Sequence, residues 1–226
     1  MRGCFITGTD TGVGKSVLAA AIVAALRARQ VRVRALKPVI TGLDELPDAT
    51  WPPDHELLAG VAGCSPGEVT GVGYGPPVSP HLAAELSGRP LPVDQVRAEA
   101  RAAALAPEVA VIEGVGGLLV PLADRWLVRD LARELGLPVI VAARPGLGTI
   151  NHTLLTLEAA RAAGLSIAGV VLTPWPRSPN AVERSNRATI ARLGAVEVSA
   201  LAAVPRPDPE LLARAARTLP VDRWLQ

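Results

Sequence analysis

Gly8-Thr-Asp-Thr-Gly-Val-Gly-Lys-Ser16 stands between the short apolar run Cys4-Phe5-Ile6 and the helix-forming VLAAAIVAALRAR of residues 17–29. Apolar strand, glycine-bearing loop, Lys-Ser and apolar helix in this order make a phosphate cradle, because backbone N–H groups, a helix start and a lysine converge on one polyphosphate. Gly12 and Gly14, flanking Val13, let the backbone close around the anion. Lys15 supplies a point charge for the outer phosphates, the Ser16 hydroxyl can ligate Mg²⁺, and Val17 continues into the helix. The match to G-x-x-x-x-G-K-[ST] is offset: Thr9 takes the place of the first glycine, which lies one position earlier at Gly8.

Outward from this loop, apolar β-branched runs recur at 4–7, 31–36, 109–112, 139–142 and 167–172, and more weakly at 198–204. Helical patterns separate several of them, with Leu18, Ile22, Ala25 and Leu26 on one face and Ile150, Leu154 and Leu157 on another. Runs apolar on both faces, such as Pro138-Val-Ile-Val-Ala-Ala143, suit a parallel sheet covered on both sides. The expected class is α/β: a parallel β-sheet flanked by helices, P-loop NTPase-like, in a single domain over 1–226. Its ligands are expected at the carboxyl ends of the strands. Residues 42–92 form a Pro/Gly-rich excursion (Pro47, Pro52, Pro53, Pro66, Pro76, Pro77, Pro80) with a short helical piece at 55–61, kept inside the domain because long structureless loops are uncommon.

Composition narrows the function. Hydrophobic residues are 49% and charged residues 19% of 226, a globular balance. The net charge of +2 comes from interspersed residues and aromatics are only 3%, so no basic stripe or stacking platform argues for nucleic acid. Cys4 and Cys64 are far apart and follow no secretory leader, which suits a reducing cytoplasm rather than a disulfide framework. The apolar stretch 17–26 is shorter than the ~20 residues that span a bilayer and lacks a basic upstream flank, so it reads as a buried helix and no membrane is expected.

Four further features carry chemistry. Glu113 follows the apolar run 109–112 and precedes glycines, as expected for an acid that ends a strand and binds Mg²⁺. Lys37, in Leu36-Lys-Pro-Val, ends the second strand, and Pro38 forces an extended exit that aims it toward Lys15. Two lysines beside a γ-phosphate suit phosphoryl transfer to an anionic acceptor. Gly146-Leu-Gly-Thr-Ile-Asn-His152 opens a helix whose free N–H groups can hold a carboxylate, or is a plain loop with Thr149 as its cap. His55, His81 and His152 lack metal-ligand spacing, and the four tryptophans read as packing residues, with Trp175 the one candidate for base contact.

Taken together, GTDTGVGKS (8–16), KPVITG (37–42), SPHLAAE (79–85), EGVGGLLVPL (113–122) and LPVIVAARPGLGTINHTLLTLEAARAAGLSIAGVV (137–171) resemble the ATP-dependent dethiobiotin synthetases, in collinear order over most of the chain. The resemblance implies a Mg²⁺-dependent ligase that turns 7,8-diaminopelargonate, CO2 (or bicarbonate) and ATP into dethiobiotin, ADP and phosphate. The route runs through a carbamate and a carbamic-phosphoric anhydride. It implies that Lys15 and Lys37 stabilise the carbamate and the moving phosphoryl group, with Thr11 at the reacting end. It places Asp54 and Glu113 with Ser16 at the metal, and Gly114, Val115 and Gly116 beside the nucleotide. Thr41 would touch substrate, and Leu147, Gly148, Thr149 and Asn151 would receive its carboxylate across a homodimer interface.

The base end departs from the family. Thr173-Pro174 stands where many members have Asn and a polar residue, and Pro205-Arg206-Pro207 replaces Pro-Trp-Leu. An asparagine amide is therefore missing from adenine readout, which leaves CTP and other triphosphates as candidates beside ATP. A tyrosine that some members carry on a late helix is also absent; Ser185-Asn186 occupies that neighbourhood. The rival from another class is a dimeric partition-type ATPase switch, which would carry a second lysine five positions before the loop lysine; Asp10 stands there. A glutaminase-coupled amidoligase would be expected to show a Cys/His glutaminase site, for which these 226 residues leave no room, and a GTPase would carry Asn-Lys-x-Asp, which is not found.

Overall fold

β1 (Gly3–Gly8) is buried along its whole length, as suits the middle strand of a sheet covered on both faces. The structure, a computed structural model, describes residues 2–45, 50–106 and 108–225, so Pro47 of the Pro/Gly-rich excursion lies outside the described residues. After β1 come α1 (Lys15–Ala28), β2 (Val33–Leu36) and β3 (Val39–Ile40). The 42–92 excursion then holds α2 (Asp54–Ala62), α3 (Pro66–Val69), β4 (Val72–Gly73) and α4 (Pro80–Leu86). α5 (Val93–Leu105), β5 (Val109–Gly117), β6 (Pro121–Ala123), β7 (Trp126–Leu127), α6 (Val128–Leu135) and β8 (Val139–Ala143) follow. The chain ends with α7 (Thr149–Ala162), β9 (Ile167–Trp175), α8 (Ala181–Gly194), β10 (Val198–Ala202), α9 (Pro209–Ala215), a 3₁₀ turn (Ala216–Thr218) and α10 (Val221–Trp224).

Six strands form one parallel sheet in the order β10-β9-β8-β1-β5-β2, the doubly wound P-loop NTPase-like arrangement. Side chains alternate between two cores. Cys4, Ile6, Val109 and Val111 face α1, α2 and α9, whereas Phe5, Ala110 and Ile112 face α5, α6 and the far helices. Leu18, Ile22 and Leu26, four residues apart along α1, are each fully buried. Each such side chain stabilises the fold by about 1.5–3 kcal/mol. The excursion is drawn into both cores, through Leu57 and Leu58 on one face and Val72, Tyr74 and Ala83 on the other.

Register, more than strand identity, positions the chemistry. Leu36 of β2 and Phe5 of β1 both lie opposite Ile112 of β5, so Lys37 and Ile6 come level with Glu113. Glu113 continues the Val109, Val111 face, the one toward α1.

Two strands run past their expected ends. β5 was expected to stop at Ile112 and to leave Glu113 in a post-strand loop; it continues to Gly117. It does so through a bulge, since Ile6 pairs with Glu113 while Gly8 pairs with Gly117. β9 passes Leu172 to Trp175 and carries Pro174 at an irregularity in the ladder, where a missing N–H is tolerated. β2 starts at Val33 instead of Val31, because the Val31 N–H donates to Leu26 O and completes the end of α1.

Candidate active site

The phosphate loop owes its shape to backbone positions that only small residues tolerate. Gly14 caps α1 in the left-handed region (φ 89°), and a Cβ there would stand 3.0 Å from Thr173 Cγ2. The Thr11 N–H donates to Asp10 Oδ1 at 2.7 Å, and Lys15 Nζ reaches back to Asp10 O at 2.9 Å. Lys15 is only 7% exposed. Its burial, with Lys37 nearby, lowers its pKa against the pull of Glu113. Val13 turns its side chain into the core and so gives the loop only its backbone.

Opposite the loop stands a charge cluster. Glu113, fully buried, accepts from Ser16 Oγ at 2.8 Å and from Lys37 Nζ at 2.7 Å through the same oxygen, Oε1. Lys37, 3% exposed, also donates to Asp54 Oδ2 at the first turn of α2. The Lys37 backbone is clamped: its N–H donates to Val69 O at 2.9 Å and its carbonyl accepts from Thr70 Oγ1 at 2.8 Å. Burial works against a charged lysine, yet Glu113 and Asp54 together hold its pKa above the usual range. Burial pushes Glu113 up, with Lys37 opposing. For Asp54 burial acts upward, but Lys37 wins and holds the carboxyl below its ordinary value.

Lys15, Ser16, Lys37 and Asp54 line one cavity of about 760 Å³ that also takes in Thr11, Gly12, Val17, Thr41, Val115 and Gly116, while the fully buried Glu113 is not in its wall and meets it through Ser16 and Lys37. Gly114 instead faces inward, where a Cβ would stand 2.9 Å from Val128 and 3.1 Å from the Phe5 ring. Glu113 Oε2 is buried without a hydrogen-bond partner. An orphaned carboxylate oxygen beside a hydroxyl and a second acid suits a hard divalent cation that completes its shell with phosphates and water. Among the described residues no group of three or more His, Cys, Asp or Glu gathers as a metal site, so the candidate set here is two acids and a hydroxyl. Ser16, Asp54 and Glu113 thus fit Mg²⁺.

Two other groups of expected residues lie outside this cavity. Thr173, 2% exposed, sits under Gly14. Pro174 and Arg206 are exposed and Pro207 half-buried. Pro205 lines a separate cavity of about 450 Å³ with Trp175, over whose ring the Arg187 guanidinium lies at 5.8 Å. At the start of α7, Leu147 is 97% exposed, Asn151 is exposed and Thr149 is buried. Thr149 is not the cap: Gly148 (φ 89°) holds that position with no side-chain bond, and Thr149 Oγ1 instead lies 3.4 Å from Thr153 Oγ1. A third cavity of about 540 Å³ runs along α7 past His152 and Leu155 to Thr11, so Thr11 is a wall common to it and the main cavity. Arg144 stands out only in three dimensions, its Nη2 donating to Thr11 O and Gly12 O at 3.3 and 3.4 Å. No motif marks it.

A family model described as an AAA domain matches residues 2–211. The ATP-dependent dethiobiotin synthetase BioD of Mycobacterium sp. (strain KMS) is 42% identical over 227 residues, 97% of this chain and 96% of that one. That of Anaeromyxobacter dehalogenans (strain 2CP-1 / ATCC BAA-258) is 44% identical over 222 residues with the same coverage. The Bacillus subtilis (strain 168) protein is 36% identical over 201 residues, 88% of this chain and 85% of that one. Among solved structures, apo McdA from Cyanothece superposes with a TM-score of 0.50 at 13% identity, over 95% of this chain and 90% of that one, a likeness of fold alone. Phosphate loop, paired lysines and near full-length identity agree: the chain belongs to the ATP-dependent dethiobiotin synthetase family.

Proposed function

We propose that this protein closes the cyclic urea of dethiobiotin from 7,8-diaminopelargonate, CO2 and a nucleoside triphosphate, in the cytoplasm and as a homodimer. The observation that carries the reading is Lys37: an almost fully buried ammonium, fixed by Glu113 and Asp54, facing the phosphate loop across one cavity. A structural lysine has no need of so costly a place.

In this reading one substrate amine attacks CO2, forming an N–C bond and losing a proton, to give a carbamate. The carbamate oxygen then attacks the γ-phosphorus, the bond to the leaving nucleoside diphosphate breaks, and a carbamic-phosphoric anhydride results. The neighbouring amine attacks the carbonyl carbon, the C–O bond to phosphate breaks, and the ring closes with loss of a proton. Lys15 and Lys37 neutralise the carbamate and the transferring group, and Thr11 orients the reacting end. Gly12, Val13 and Gly14 hold the phosphates with backbone N–H groups. Ser16, Asp54 and Glu113 would hold Mg²⁺, which when bound screens the charge of the triphosphate. Thr41 touches the diamine from the cavity wall, and residues 146–152 take its carboxylate. Exposed Leu119, Leu147 and Leu155 support burial of that face against a second copy.

Thr173 stands where the family pattern has an asparagine amide and is buried under Gly14, so no amide selects adenine there, and CTP and other triphosphates are proposed to serve beside ATP. The test is direct. The pure chain is incubated with diaminopelargonate, bicarbonate, Mg²⁺ and each of ATP, CTP, GTP and UTP in turn, and dethiobiotin is sought by mass spectrometry. No product with any triphosphate, or ATP hydrolysis that responds to DNA or lipid instead of the diamine, would overturn the reading.

A further inference from the structure

The segment from Arg144 to Gly148 joins β8 to α7, and it is tied down from two sides. At its start, Arg144 is anchored on the phosphate-loop carbonyls of Thr11 and Gly12. In its middle, Asn186 of α8 donates its side-chain amide to Pro145 O at 2.9 Å and to Gly146 O at 3.0 Å. Asn186 is 6% exposed. Two carbonyls facing one amide leave no choice of orientation, since only the NH2 end can satisfy both.

The carbonyl of Gly146 has a second donor, the N–H of Thr149 at 3.3 Å, the first residue of α7. The side chain of Asn186 therefore holds the acceptor from which α7 begins. The N–H groups of Ile150 and Asn151 come next in the chain, and they have no acceptor among the described residues. Their direction follows from where the first turn starts.

We propose that Asn186 is a positioning residue for the acceptor substrate: it fixes Pro145 and Gly146 so that the open N–H groups of α7 meet the carboxylate of the diamine. The proposal rests on the reading that residues 146–152 receive that carboxylate. It explains why a polar side chain is buried in the middle of α8, where an apolar residue would pack as well.

The test uses Asn186→Ala and Asn186→Asp in the full-length protein, with steady-state kinetics and amide hydrogen exchange. Loss of both hydrogen bonds raises KM for 7,8-diaminopelargonate about tenfold, equivalent to about 1.4 kcal/mol. The value of kcat and KM for the triphosphate stay within about twofold of wild type. Asn186→Asp, which turns acceptors toward two carbonyls, is at least as impaired as Asn186→Ala. Amide exchange at Thr149 and His152, whose N–H groups are bonded to Gly146 O and Gly148 O, speeds up in both variants without any substrate present. Unchanged exchange there, or an equal loss in kcat and in both KM values, overturns the proposal. A wild-type protein that makes no dethiobiotin refutes the proposed function instead, and faster exchange in the variants then still decides whether Asn186 positions the loop.

Discussion

Lys37 shows what one side chain costs and contributes. Its ammonium is nearly out of water and is held by two carboxylates, one of them fully buried. Removing one partner of such a cluster costs about 3–5 kcal/mol, because a buried charge is left uncompensated. Lys37→Ala is expected to lower kcat about 1,000-fold and Tm by roughly 10 °C while leaving the triphosphate Kd within about threefold. Turnover near wild type would remove Lys37 from the chemistry. Cys4 gives a second expectation. Burial pushes its thiol up to about 12, so below pH ~9 it is neutral in both folded and unfolded chains and has no effect on stability. Above that pH only the unfolded chain ionises, and stability falls by about 1.4 kcal/mol per pH unit until the folded pKa is reached. Urea unfolding at pH 8 and 10 should show a shallower pH slope in Cys4→Ala, and an equal slope would show that the buried thiol is not the cause. At this scale the phosphate loop was legible because its parts are contiguous. Arg144 was not, and Asn186 was legible only as a substitution for a tyrosine, because their partners are backbone carbonyls that no residue type marks.

Elements depend on their ends. α8 begins with a reciprocal cap: Asn180 Oδ1 accepts from the Glu183 N–H at 3.1 Å, and Glu183 Oε2 accepts from the Asn180 N–H at 2.7 Å. Asn180→Ala should cost about 1 kcal/mol and lower Tm by about 3 °C, which urea and thermal melts would detect. A loss below about 0.3 kcal/mol would mean that the box is idle. The helix and strand alternation of the chain could be read from periodicity, since long apolar runs declare themselves. The overruns of β5 and β9 could not. Glycine and proline are read as stops, whereas a bulge lets Gly114–Gly117 and Pro174 remain within a strand. The short pairs β3–β4 and β6–β7 are two or three residues per strand, too brief to show any period.

For the whole molecule, sheet order was expected only as a class, and register added what the class leaves out. That Lys37 comes level with Glu113 is set by Leu36 and Ile112 being opposite, a fact of pairing between segments far apart in the chain. Leu119, Leu147 and Leu155 are 52%, 97% and 56% exposed, and Leu119 and Leu155 line the cavity beside α7. If a second copy covers this face, the wild-type chain sediments at about twice 23.4 kDa, and Leu155→Glu shifts it toward 23.4 kDa with loss of diamine turnover. A monomeric wild type would refute the dimer. Among the described residues no helix is long and apolar enough to cross a membrane.

Gly148 leads α7 without a side chain to close its first turn. Its φ of 89° lies in the left-handed region, where a Cβ is strained, so a capping side chain that would compete for the N–H groups the proposed ligand needs could enter only at a backbone cost. Heat tolerance and turnover therefore ask for the same residue here: selection on melting temperature alone should retain this glycine, and with it the open first turn.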